Sequence, residues 1–175
     1  MNKIELIKFT DELDNYKLMY KWCSKEFVYE WFEQRILSLD EIIGKYKTKL
    51  MNQKQKLFFI NYNNKNIGFV QIYEYIDKKY DGLNTDNNIY EYDIFIGEDE
   101  YLSRGIGSLI INYINEFIYK EYSCDCIILR PFKRNIRAIK CYQKNGFKII
   151  GEENSFDTVG NSEKIVIMIN EKQTD

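Results

Sequence analysis

Apolar positions along the chain alternate between two spacings, and the changes of spacing mark the elements. Residues 4–9 alternate loosely and predict an opening strand. Thr10 is placed to cap a helix with Leu13 behind it, and Leu18, Met19 and Trp22 supply its apolar face. Residues 27–36 predict a second helix, rich in aromatics (Phe27, Tyr29, Trp31, Phe32). Ser38 or Asp40 starts a third, through Ile42, Ile43, Tyr46 and Leu50. Residues 57–62 and 67–73 predict a hairpin across the turn 63–66. Residues 77–88 are polar and read as a loop. A strand over 90–96 then runs into a polar loop, 97–107, and a long amphipathic helix, 106–118. Residues 125–130 form a short, largely apolar run, as in a buried strand, and Pro131 ends it. Asn135 caps a further helix whose Ile136, Ile139 and Tyr142 lie three apart, and Gly146 ends that helix. Strands follow at 147–151 and 164–169. The order β, α, α, α, β, β, β, α, β, α, β, β predicts one α/β or α+β domain over residues 1–175 with a mixed sheet.

Composition narrows the chemistry. With 45% hydrophobic and 30% charged residues the chain is expected to be globular, and its net charge of −2 gives no basic field for nucleic acid. No apolar run reaches the roughly 20 residues that span a membrane, and residues 1–5 lack a signal-peptide pattern. The expectation is a cytoplasmic protein, a monomer or homodimer. The chain has no histidine, which removes Ser-His-Asp and Cys-His catalysis and His-based metal sites, and no metal is expected. Proton chemistry must use Asp, Glu, Tyr, Lys, Cys or water. The cysteines Cys23, Cys124, Cys126 and Cys141 are expected to be reduced core thiols, and Cys124-x-Cys126 has the spacing of one strand face.

The candidate chemistry begins at Ser103-Arg104-Gly105-Ile106-Gly107-Ser108. A glycine-rich loop opening into a helix presents backbone N–H groups at the positive end of the helix dipole, a seat for phosphate. A nucleotide P-loop needs Gly-Lys-Ser/Thr, whereas Gly107 precedes Ser108-Leu109. A dinucleotide fold needs a third glycine near Ile110 and an acid ending the next strand, whereas Asp125 begins one.

Two motifs resemble the GNAT superfamily of acetyl-CoA-dependent N-acetyltransferases. Residues 103–107 look like that family's pyrophosphate loop, Arg/Gln-x-x-Gly-x-Gly/Ala, with Leu102 at the position of Arg or Gln. Residues 135–147 look like its Asn-x-x-Ala-x-x-x-Tyr-x-x-x-Gly-Phe helix and turn, through Asn135, Ala138, Tyr142, Gly146 and Phe147. Within the superfamily the chain most resembles aminoglycoside 6'-N-acetyltransferases, which confer antibiotic resistance. There Asp93 matches an Asp-Gln pair, but Ile94 replaces the Gln.

The resemblance implies a mixed central sheet of about six to seven strands, with a splayed parallel pair and flanking helices. It implies acetyl-CoA as co-substrate, held by the loop 102–108, by the backbone of Ile94, Phe95 and Ile96, and by Asn135 and Ala138. Tyr142 is then a cofactor contact that protonates the leaving thiolate, and an amide of Ile94 or Phe95 polarises the thioester carbonyl. The acceptor is a small-molecule amine. Asp86, Glu91 and Asp93 are candidate substrate contacts, within an acidic and aromatic stretch that also holds Asp77, Asp81, Tyr73, Tyr75, Tyr80, Tyr90 and Tyr92. Trp31 and Glu33 are candidates for an opposite wall. An ammonium titrates near roughly 10 and a carboxylate near roughly 4, so full proton transfer between them is uphill by about 8 kcal/mol. Asp93 is therefore read first as an anchor for the amine, accepting a proton as the nitrogen becomes acidic on attack. Acetylation of another amine (a polyamine, a lysine side chain, a protein N-terminus) and a non-catalytic acyl-CoA-binding domain are the alternatives.

Overall fold

The computed structural model of the protein describes residues 3–75, 88–158 and 160–172. Asp77, Tyr80, Asp81 and Asp86 lie outside them. The chain forms one seven-stranded sheet in the order β1-β2-β3-β4-β5-β7-β6. Its contacts divide it into two compact units, Met1–Ile72 with Asp93–Arg104 and Tyr73–Tyr92 with Gly105–Asp175.

In the first unit, β1 (Ile4–Lys8) pairs antiparallel with β2 (Gln55–Tyr62), Ile4 opposite Tyr62. The link from β2 to β3 (Lys65–Glu74) is a two-residue turn, shorter than the 63–66 turn expected. Asn63 and Asn64 both take positive φ, 49° and 66°, as the tight hairpin turn demands and asparagine tolerates. Helix α1 (Leu13–Cys23) starts at Glu12 with no side-chain cap; Thr10 instead accepts from Asn15 Nδ2 at 2.8 Å. The second helix, α2, covers only Glu26–Tyr29; the chain continues in turns to Gln34, which takes positive φ (61°). Ser38 caps α3 (Leu39–Met51) through a reciprocal capping box with Glu41. The core here is aromatic: Phe9, Tyr16, Trp22, Tyr46, Phe59, Phe69 and Phe95 pack together with Met19, Val28 and Ile42.

In the second unit, α4 (Ile106–Glu121) buries Ile110, Ile114 and Ile118. The short strand β5 (Cys126–Leu129) is buried throughout. Helix α5 (Ile136–Lys144) follows, and β6 (Lys148–Phe156) and β7 (Ser162–Glu171) form a long antiparallel ladder. These two strands outrun the expected 147–151 and 164–169. Their added residues include Glu152, Asn154, Ser162 and Glu163, which carry no apolar alternation but pair across the ladder. Cys124 precedes β5 rather than sharing a strand face with Cys126.

Strand β4 (Ile89–Ile96) belongs to both units. It pairs parallel with β5 at Ile89, Tyr90 and Glu91. Beyond Glu91 no ladder pair joins β4 to β5 among the described residues.

Candidate active site

Asp93 is half-buried on β4, just beyond the last residue paired with β5. Gln71 of β3 donates from Nε2 to Asp93 Oδ2 at 2.5 Å. Lys49 of α3 donates from Nζ to Gln71 Oε1. Its ammonium also lies 5.3 Å from the centre of the Tyr46 ring. Burial, and Lys45 close by, lower the Lys49 pKa, while Asp93 and Glu33 oppose that shift.

Sequence reasoning missed Gln71 and Lys49. The available signals were a lone polar residue within the apolar run of β3, and a lysine three residues after Tyr46 on the stripe of α3 that buries Ile42 and Tyr46.

Two other expected contacts have their carboxylates engaged within the fold. Glu91 is only 2% exposed, and both its carboxylate oxygens are held by Arg130, each at 2.8 Å. Arg130 in turn stacks over Tyr75 at 5.5 Å. A buried carboxylate needs such a bidentate partner, so Glu91 is not presented to a cationic acceptor as expected. Glu33 is likewise buried, accepting from Tyr46 Oη at 3.0 Å and from Lys45. Burial, with the Glu33 carboxylate adjacent, raises the Tyr46 pKa well above its ordinary value. The tyrosines around β4 are largely packed. Tyr92 is buried with its hydroxyl on Asn115 at 3.1 Å, and Tyr90 stacks on Tyr122.

The loop before α4 turns through left-handed backbone. Ser103 and Gly105 take positive φ, 60° and 78°, and Gly105 is the N-cap of α4 without contributing a side chain. No side chain caps the first turn of this helix, and the Ser108 amide donates to the Gly105 carbonyl at 3.2 Å. Ser103, Arg104 and Gly105 are exposed, Leu102, Gly107 and Ser108 half-buried, and Ile106 buried. The Ser108 hydroxyl is tied to Asn145, whose Nδ2 donates to it at 2.9 Å.

Asn135 caps α5, its Oδ1 accepting from the Ala138 amide at 3.1 Å. Tyr142 lies one turn beyond Ala138 and is half-buried, its ring 5.8 Å from that of Phe147. Ile94 and Ile96 are half-buried, but the Phe95 side chain points into the aromatic core, edge-on to Phe32 at 4.7 Å. A contribution of Phe95 to a ligand is therefore one of backbone.

All four cysteines are free thiols. Burial pushes Cys23 and Cys124 up to about 12 and raises Cys141. None of these three has the thiolate character of a nucleophile. No described helix is long and apolar enough to cross a membrane.

Residues 11–154 match the acetyltransferase (GNAT) domain family, and the chain belongs to it. Acetyl-CoA is the co-substrate of enzymes with this fold. The chain is 25% identical over 137 residues to an aminoglycoside N(6')-acetyltransferase type 1 of Klebsiella pneumoniae, covering 75% of this chain and 68% of that protein. In fold it is similar to the aminoglycoside acetyltransferase AAC(6')-Ib solved with coenzyme A and kanamycin. There the TM-score is 0.79 at 20% identity, over 97% of this chain and 95% of that one. It is also similar to spermidine N-acetyltransferase from Vibrio cholerae solved with CoA and spermine. That match has a TM-score of 0.77 at 18% identity, over 96% and 95% of the chains.

Proposed function

We propose that the chain acts as one acetyltransferase domain over residues 1–175, moving the acetyl group of acetyl-CoA to a primary amine, the 6'-amine of an aminoglycoside. The observation that carries this reading is a carboxylate, Asp93, fixed on β4 where its pairing with β5 has ended. Strand backbone left without a ladder partner needs hydrogen bonds, and the amide-rich pantetheine arm of acetyl-CoA supplies them along Ile94, Phe95 and Ile96. The loop 102–108 fits the pyrophosphate through its backbone, which is why Leu102 in place of Arg or Gln is tolerated. Asn135 and Ala138 add contacts to the arm.

In the proposed reaction the amine lone pair attacks the thioester carbonyl. A C–N bond forms and the carbonyl oxygen takes up negative charge, stabilised by an amide of Ile94 or Phe95. Asp93 orients the ammonium form and accepts its proton as the nitrogen becomes acidic, directly or through water. The C–S bond then breaks and Tyr142 protonates the departing thiolate. Attack is direct, in a ternary complex: the raised pKa values of Cys23, Cys124 and Cys141 keep them from serving as thiolates to carry the acetyl group, and Cys126 is buried in β5.

A polyamine acceptor is the second reading. It is supported by Ile94 in place of glutamine and by the likeness in fold to a spermidine acetyltransferase. Thiol release from acetyl-CoA with kanamycin, spermidine, a lysine peptide and an N-terminal peptide separates the readings. A 6'-acetylated product by mass spectrometry supports the first. Coenzyme A binding without turnover on any aminoglycoside overturns it.

A further inference from the structure

Three segments far apart in sequence bring Lys49, Gln71 and Asp93 into one hydrogen-bonded line. The direction of that line is fixed by chemistry. A lysine ammonium only donates, so the amide oxygen of Gln71 must face Lys49. The amide nitrogen of Gln71 must then face Asp93, and being a donor it requires an acceptor there. An ionised carboxylate accepts with both oxygens, and a protonated one loses acceptor capacity at the oxygen that carries the proton. Each member is at least half-buried, and Gln71 is 8% exposed, so water competes weakly for these bonds. A flexible lysine stem is costly to immobilise and desolvate unless its charge is used. Here the charge is spent on the amide that grips Asp93.

We propose that Gln71 and Lys49 are positioning residues for Asp93: Gln71 clamps carboxylate oxygen Oδ2, and Lys49 locks the amide in the orientation that can do so. The carboxylate is thereby held in one rotamer on β4. The inference rests on the reading of Asp93 as the contact for the acceptor amine. Neither positioning residue is required to touch the substrate or acetyl-CoA.

The test uses the full chain and acetyl-CoA, with whichever of kanamycin and spermidine turns over. Gln71→Leu and Lys49→Met are each expected to lower kcat about tenfold or more, while the acetyl-CoA KM stays within about twofold of wild type. Either change added to Asp93→Asn is expected to lower kcat no further, since the clamp then has no carboxylate to hold. Lys49→Arg, which keeps a donor-only cation, is expected to retain most of the activity. Should Gln71→Leu not fold, Gln71→Asn keeps the amide but withdraws it by one methylene, and carries the same expectation. Wild-type kcat in the folded single variants beside an inactive Asp93→Asn overturns the clamp alone. So do losses that multiply with that of Asp93→Asn. Wild-type turnover by Asp93→Asn overturns the reading of Asp93 itself, a separate result.

Discussion

At the scale of single residues, the proposed function assigns two side chains different duties. Asp93 sits on a strand and is held by Gln71. In the proposed reaction, removing its charge while keeping its shape removes the anchor for a cationic amine and the acceptor for its proton. Asp93→Asn is expected to lower turnover about 10²-fold and to leave acetyl-CoA affinity within about twofold, as steady-state kinetics beside calorimetric titration would read. Tyr142 stands on α5 behind the Asn135 cap, which fixes the first turn of that short helix. Tyr142→Phe keeps the ring against Phe147 and removes only the hydroxyl. Its kcat is expected to fall about 10²-fold, and a leaving group more acidic than coenzyme A is expected to recover part of the loss. An unchanged kcat would leave Tyr142 a packing residue.

At the scale of elements, two glycines flanking the same loop are needed for different reasons. A Cβ on Gly97 would stand 2.2 Å from Cγ of the fully buried Trp22, so Gly97→Ala overpacks the aromatic core. It is expected to cost about 1–3 kcal/mol in urea denaturation. A Cβ on Gly105 meets nothing within 4 Å, but φ there is +78°. Gly105→Ala is expected to cost only about 1–2 kcal/mol of backbone strain, yet to raise the acetyl-CoA KM about tenfold or more by disturbing the amides of the loop. The same contrast separates what the sequence made legible from what it did not. The Gly105 turn, the Asn135 cap and the Ser38 capping box are local devices, written in neighbouring residues, and the structure has them. After α2 ends at Tyr29 the chain turns through positive φ at Gln34, which no residue preference announces. The lengths of β6 and β7 depend on cross-strand partners. The Arg130 clamp on Glu91 and the Gln71 clamp on Asp93 join positions 39 and 22 residues apart. A sequence shows the types of such residues but not their meeting, and so Glu91 and Asp93 looked alike as candidate substrate contacts.

At the scale of the whole molecule, each unit carries a buried thiol that its core holds in the protonated form, Cys23 in one and Cys124 in the other. Their folded pKa values of about 12 stand against an ordinary 9.0, with burial the largest cause in both. Below pH 9 both folded and unfolded chains keep these protons, and the thiols make no pH-dependent difference. As pH rises from 9 toward 12 the unfolded chain releases them and the folded chain does not. The native state then binds more protons than the unfolded one, so stability falls with rising pH across that window. At about pH 10 each thiol is expected to cost roughly 1 kcal/mol. Urea midpoints measured at about pH 8 and about pH 10 are expected to fall accordingly, and the drop is expected to shrink in a Cys23→Ala/Cys124→Ala variant compared with itself at the same two pH values. Native-state labelling by a thiol reagent gives the kinetic counterpart, because a protonated buried thiol reacts only after opening. Cys23 and Cys124 are expected to label at rates that follow urea concentration, with half-buried Cys141 labelling first. A pH-independent stability between these two conditions, or rapid labelling of Cys23 in the native state, would show that the core does not hold that proton.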